Sequence, residues 1–161
     1  MVTRAKFIDG SIAVILVIAS VFLVGRTVFS GGHAPTPELF SNGYSFAQAK
    51  SMSEQTGKPI FVVASADWCG PCQAYKRGAL ADDDVRQAIQ SSMIPVYVNV
   101  DEDPEAAAEL SVYSIPLTAI VQGGEVKERY EGGLSTSKLS SLASEYGVLA
   151  QAPSPVSPVS P

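Results

Sequence analysis

Hydrophobic positions along the chain change their spacing several times, and each change marks an element. Residues Ser11 to Gly25 form an uninterrupted apolar and small stretch. From Ser45 to Thr56, residues Phe46, Ala49 and Met52 recur at helical spacing until Gly57-Lys58-Pro59 stops them. Ile60 to Ala64 is continuously apolar, the pattern of a strand buried on both faces. A helix is predicted from about Cys69, weakening at Gly78. Asp82 to Asp84 supply caps for a second helical stretch with Val85, Ala88 and Ile89 on one face. Ile94 to Val100 reads as the next strand and Asp103 to Leu110 as a short helix. Thr118–Val121 and Glu125–Tyr130 flank Gly123-Gly124 as a hairpin. The last helix, Thr136 to Tyr146, places Leu139, Leu142, Ala143 and Tyr146 on one buried face. This order, βαβ then hairpin then helix, makes residues 38–148 a single α/β domain.

The charges around the first apolar run mark it as a membrane-targeting segment. Arg4 and Lys6 precede it and Arg26 follows; extended through Thr27, Val28 and Phe29 it reaches the roughly 20 residues a spanning helix needs. Ser30 and Gly32 fit a small-x-small cleavage site poorly. Residues 1–30 are therefore expected to be a cytoplasmic amino terminus and an uncleaved anchor, with secretion after cleavage as the alternative. The rest of the chain is then outside the cytoplasm, in a periplasm or an equivalent lumen. Residues 31–37, rich in Gly and Pro, read as a linker. Residues 149–161, ending QAPSPVSPVSP, read as a disordered Pro/Ser-rich tail. At 161 residues, with 46% hydrophobic and 17% charged, the chain suits one domain plus extensions. Its net charge of −5 argues against nucleic-acid binding, which needs clustered Lys and Arg.

Only two cysteines occur, Cys69 and Cys72, within Trp68-Cys69-Gly70-Pro71-Cys72 directly after the buried strand. At a helix start, unpaired N–H groups and the helix dipole favour a thiolate, lowering the Cys69 thiol below its free value of about 8.5. Cys69 is then the nucleophile on a substrate disulfide, and Cys72, one turn along, resolves the mixed disulfide and leaves the pair oxidised. Pro71 lacks an N–H that the first turn could not use, and Gly70 keeps one side open. Zinc would want about four ligands, but the only His is His33 in the linker, so no metal or bound cofactor is expected. Copper(I) carriage by the two thiolates is a minor alternative. Asp82–Asp84 and Asp101–Asp103 lack the pattern of a calcium loop and read as solvated caps. On spacing alone Lys76 and Arg77, which follow the motif, read as ordinary charges on the helix surface, with support of the thiolate or contact with an acidic partner as the alternative.

The WCGPC motif at a strand-to-helix junction resembles the active site of the thioredoxin superfamily. Lys58-Pro59, Ala66-Asp67-Trp68, Val98-Asn99-Val100-Asp101 and Ile115-Pro116 add to the likeness, particularly to the membrane-tethered, extracytoplasmic branches. The resemblance implies a thioredoxin fold, a central mixed sheet flanked by helices, here preceded by the N-terminal anchor helix. It further implies that Trp68 covers the cysteine pair, that Pro116 is cis and faces it, and that Pro116 and the Ile115 backbone hold the substrate as an extended strand. The implied activity is thiol–disulfide exchange with exported proteins. The CGPC context favours a reductase, which in an oxidising compartment needs a membrane protein as electron donor. The alternative is a non-catalytic docking module of a membrane complex. The chain departs from the family at Val63, where many members carry a buried Asp, and at Tyr97, where its partner Lys often stands. Slower resolution of mixed disulfides is the expected consequence.

Overall fold

The computed structural model of the chain describes residues 14–20 and 32–151. They belong to two units, the first ending at Gly32 and the second running from His33. Residues 14–20 are helical, and Val14 to Ile18 are 59–63% exposed. No helix among the described residues is long and apolar enough to cross a membrane. The rest of the expected anchor, residues 1–13 and 21–30, lies outside the described residues, as do residues 152–161 of the expected tail.

In the second unit four strands form one sheet in the order β2-β1-β3-β4: β1 (Ile60–Ser65), β2 (Ile94–Asn99), β3 (Leu117–Gln122) and β4 (Glu125–Glu131). β1 runs parallel to β2 and antiparallel to β3, and β3 is antiparallel to β4, so the sheet is mixed. The parallel pair requires a crossover, which the helices after β1 supply. The antiparallel pair needs only a two-residue turn. Gly123 and Gly124, at φ +62° and +78°, adopt the left-handed backbone such a turn demands at both positions.

Local signals set the helices α1 (Phe46–Thr56), α2 (Gly70–Arg77), α3 (Asp83–Ser92), α4 (Pro104–Glu109) and α5 (Thr136–Gln151). The Ser45 hydroxyl and the Gln48 side chain each accept the other's backbone N–H, a capping box that starts α1. Asp82 Oδ1 accepts the Val85 N–H and Asp103 Oδ1 that of Ala106, each at 3.0 Å, so both act as the caps expected of them. β1 is buried throughout and divides its side chains by period two. Phe61 and Val63 join Tyr75 of α2, Val85 and Ile89 of α3, and Leu139 and Leu142 of α5 on one face. Ile60, Val62 and Ala64 join Phe46 of α1 and Ala106 of α4 on the other.

Two boundaries differ from expectation. The linker is not free along its length: Ala34 and Pro37 are buried, and residues Glu38–Phe40 form a short 3-10 helix that buries Leu39 and Phe40 in the core. Apolar anchors offset the freedom that Gly and Pro composition suggests. The last helix continues five residues beyond Tyr146, to Gln151 and so into the segment read as tail, because the first proline that could stop it is Pro153.

Candidate active site

β1 ends inside the sheet, and the chain passes through Ala66, Asp67 and Trp68 into α2 with Cys69 at the N-cap. Cys69 and Cys72 are joined by a disulfide, with Cα atoms 5.2 Å apart. Cys69 Sγ also accepts the backbone N–H of Cys72 at 3.2 Å, a donor that the first helical turn leaves without a backbone acceptor. The same N–H and the dipole behind it would favour negative charge on that sulfur once the disulfide is opened. Cys69 is 5% exposed and Cys72 1%, so an incoming sulfur meets Cys69 first. Gly70 leaves the approach open, since a Cβ there would meet nothing within 4 Å.

The segment before β3 closes one side of the pair. The Ile115–Pro116 peptide is cis, and Ile115 O lies 3.8 Å from Cys69 Sγ. Arg129 of β4 fixes the preceding loop by donating to the carbonyls of Ser111, at 2.9 Å, and Leu110. Trp68 is 70% exposed, and its Nε1–H donates to Asp101 Oδ2 at 2.8 Å, which fixes the ring at the rim of the site. The structure thus brings Trp68, Cys69, Gly70, Pro71, Cys72 and Ile115 together, with Pro116 following directly.

Three features of α2 escape sequence reasoning. Tyr75 reaches across the core to the Thr118 hydroxyl at 3.1 Å, tying the cysteine helix to β3 two residues beyond Pro116. Burial pushes the Tyr75 hydroxyl up to about 12, against smaller opposing effects from Thr118 and the Leu134 backbone. Gln73, buried, accepts the Ala34 N–H at 2.5 Å and donates to the Asp67 carbonyl at 3.0 Å, clamping the N-terminal strap to the motif. Lys76 corrects the surface-charge reading: it is 4% exposed, while Arg77 beside it is exposed. Its ammonium lies 3.5 Å from Asp67 Oδ1 and 3.4 Å from the Tyr97 hydroxyl, and 5.5 Å from the Tyr97 ring centre. Its place four residues after Cys72, in register with the buried face of α2, is the signal that could have revealed it.

A mixed sheet whose first strand delivers a CxxC disulfide to a helix N-terminus, facing a cis-proline segment, defines a dithiol protein of the thioredoxin class. A family model described as Thioredoxin-like matches residues 42–123. Thioredoxin 1 of Chlorobaculum tepidum is 38% identical over 76 residues, covering 47% of this chain and 72% of that protein. The thioredoxin of Pyropia yezoensis is 33% identical over 88 residues, covering 55% of this chain and 79% of that one. A thioredoxin structure from Thermus thermophilus aligns over 68% of this chain and 88% of its own, with a TM-score of 0.57 at 21% identity, a likeness of fold. The chain belongs to the thioredoxin-like family. It is a thiol–disulfide oxidoreductase.

Proposed function

We propose that the protein is a membrane-anchored reductase of disulfides in exported proteins, with Cys69 as nucleophile and Cys72 as resolving thiol. The observation that carries the assignment of roles is the environment of Cys69: the more accessible sulfur, at the N-cap of α2, takes the Cys72 N–H at 3.2 Å and faces the Ile115 carbonyl. The Cys69 thiolate attacks a substrate disulfide and expels one substrate thiolate; Cys72 then attacks Cys69 Sγ, expels the other and closes the Cys69–Cys72 bond. Ile115 and Pro116, which wall one side of the pair, would align an extended substrate segment across Cys69. Trp68 would form its apolar rim.

The anchor is supported by the apolar run from Ser11 to Gly25 between Arg4 and Lys6 on one side and Arg26 on the other. The exposed apolar side chains of helical residues 14–18 fit a segment meant for lipid. An exported reductase sits in an oxidising compartment and is re-reduced by a membrane protein that carries electrons across. The test is the equilibrium reduction potential of the full-length protein against glutathione, followed by Trp68 fluorescence and thiol alkylation. A value near about −270 mV supports the reductase, whereas one near about −120 mV makes the protein an oxidant. Cys69→Ser abolishes turnover and Cys72→Ser accumulates the mixed disulfide; cellular function that survives replacement of both cysteines together leaves a non-catalytic docking module. A membrane-impermeant thiol reagent applied to cells with an intact cytoplasmic membrane labels Cys69 if the domain is exported, and labelling only after lysis overturns that placement.

A further inference from the structure

A buried ammonium is costly unless it is closely paired, and that of Lys76 is not. Two of its three N–H groups have acceptors among the described residues, both at long range: Asp67 Oδ1 at 3.5 Å and the Tyr97 hydroxyl at 3.4 Å. The Lys76 side chain is 2% exposed, while that of Asp67 is 53% exposed, so the carboxylate is largely hydrated and neutralises the charge only in part. Lys76 stands one turn after Cys72 on the same face of α2, and helical side chains lean back towards the N-terminus, here towards the turn of Cys72. Contact with Asp67, two residues before Cys69, brings the ammonium against the loop that leads into the motif.

Cys72 has a matching need. It is 1% exposed, and burial disfavours the thiolate it must become to attack. The adjoining strand offers no ionisable side chain at Val63, itself 1% exposed and in register with Tyr97. We propose that Lys76 is a positioning residue whose buried positive charge holds Cys72 as a thiolate for the resolving step, a role that rests on the assignment of Cys69 as nucleophile. In that step the Cys72 thiol gives its proton to solvent along the hydrated Asp67 edge. The Cys72 thiolate attacks Cys69 Sγ of the mixed disulfide, the bond from Cys69 Sγ to the substrate sulfur breaks, and the Cys69–Cys72 bond forms. The substrate leaves as a thiolate and takes up a proton, so the two electrons lost by the dithiol equal those gained by the substrate disulfide. The charged and titratable groups in contact with Lys76 are Asp67 from the motif loop and Tyr97 from β2. Glu38 from the strap, Arg77 on its own helix, and Asp83 and Arg86 from α3 line the same cavity as Lys76. Asp83 and Arg86 form an ion pair with each other at 2.7 Å.

The experiment mixes the reduced full-length protein with equimolar dithiobis(nitrobenzoate) in a stopped flow across a pH series. One nitrothiobenzoate is released as Cys69 is capped and a second as Cys72 attacks. Lys76→Met, similar in length and apolar, should slow the second release about tenfold at neutral pH and raise its pH midpoint by about one unit, with the first release as reference. Lys76→Arg, which keeps the charge, should retain the parent midpoint. A second phase in Lys76→Met that superposes on the parent across the series overturns the proposal. So does a Lys76→Arg protein that shifts with Lys76→Met, which puts the effect in packing, or equal slowing of both phases, which takes the charge away from Cys72 in particular. Absence of any second release in the parent overturns the assignment of Cys69 and Cys72 itself.

Discussion

Removing the Tyr75 hydroxyl isolates the bond that ties the cysteine helix to the strand beyond Pro116. Thr118 is 0% exposed and meets Tyr75 at 3.1 Å, so Tyr75→Phe strands a buried hydroxyl and costs about 1–3 kcal/mol at pH 8. The pH dependence of that cost follows from burial, which moves Tyr75 from 10.0 to about 12. A native value raised above the unfolded one contributes stability that is whole below pH 10 and lost as pH rises through about 12. Two pH units correspond to about 2.7 kcal/mol, of which roughly 2 kcal/mol is lost by pH 12 in the parent and none in the Phe variant. The two proteins should therefore differ most at pH 8 and converge towards pH 12. Tyr146 and Tyr130, both raised, the first chiefly by burial and the second chiefly by the Glu128 hydrogen bond, are common to both proteins and cancel in the difference. Urea unfolding followed by far-ultraviolet circular dichroism from pH 8 to 12 measures it. A gap that stays constant over this range, or no gap at pH 8, refutes the reasoning.

Two further substitutions test other links. At Glu128 burial pushes the carboxyl up, but hydrogen bonds from Tyr130 and Tyr146 and the charge of Lys138 outweigh it and hold the group below its usual range. Glu128→Gln should lose about 1 kcal/mol at pH 7. That margin is present above the ordinary glutamate value and vanishes as pH falls through the lower native one; a margin unchanged in acid denies the role of the charge. Gln73→Ala removes the acceptor of the buried Ala34 N–H, so amide exchange at Ala34 should accelerate while that of β1 does not. Unchanged exchange at Ala34 would mean that the strap is held by its apolar anchors alone.

Much of the fold was legible because its signals are local. Ser45, Asp82 and Asp103 cap helices within three residues of themselves, Gly123-Gly124 makes its own turn, and β1 declares its burial by an unbroken apolar run. The cysteine pair was legible for the same reason, since its two sulfurs are one helical turn apart wherever the helix starts. Lys76 differs locally from Arg77 only in standing four residues after Cys72. That this position is buried beside Tyr97, 21 residues away in β2, depends on where α2 lies against the sheet. The docking of Ala34 depends likewise on Gln73, 39 residues along the chain, and overrides a composition that suggests a free linker. The sequence by itself thus determined the elements, the sheet-building order and the chemistry of the motif, because these rest on periodicity and short spacing. Only the tertiary structure decided the electrostatic surroundings of that motif, because burial and charge pairing are set by contacts between residues that no local pattern connects.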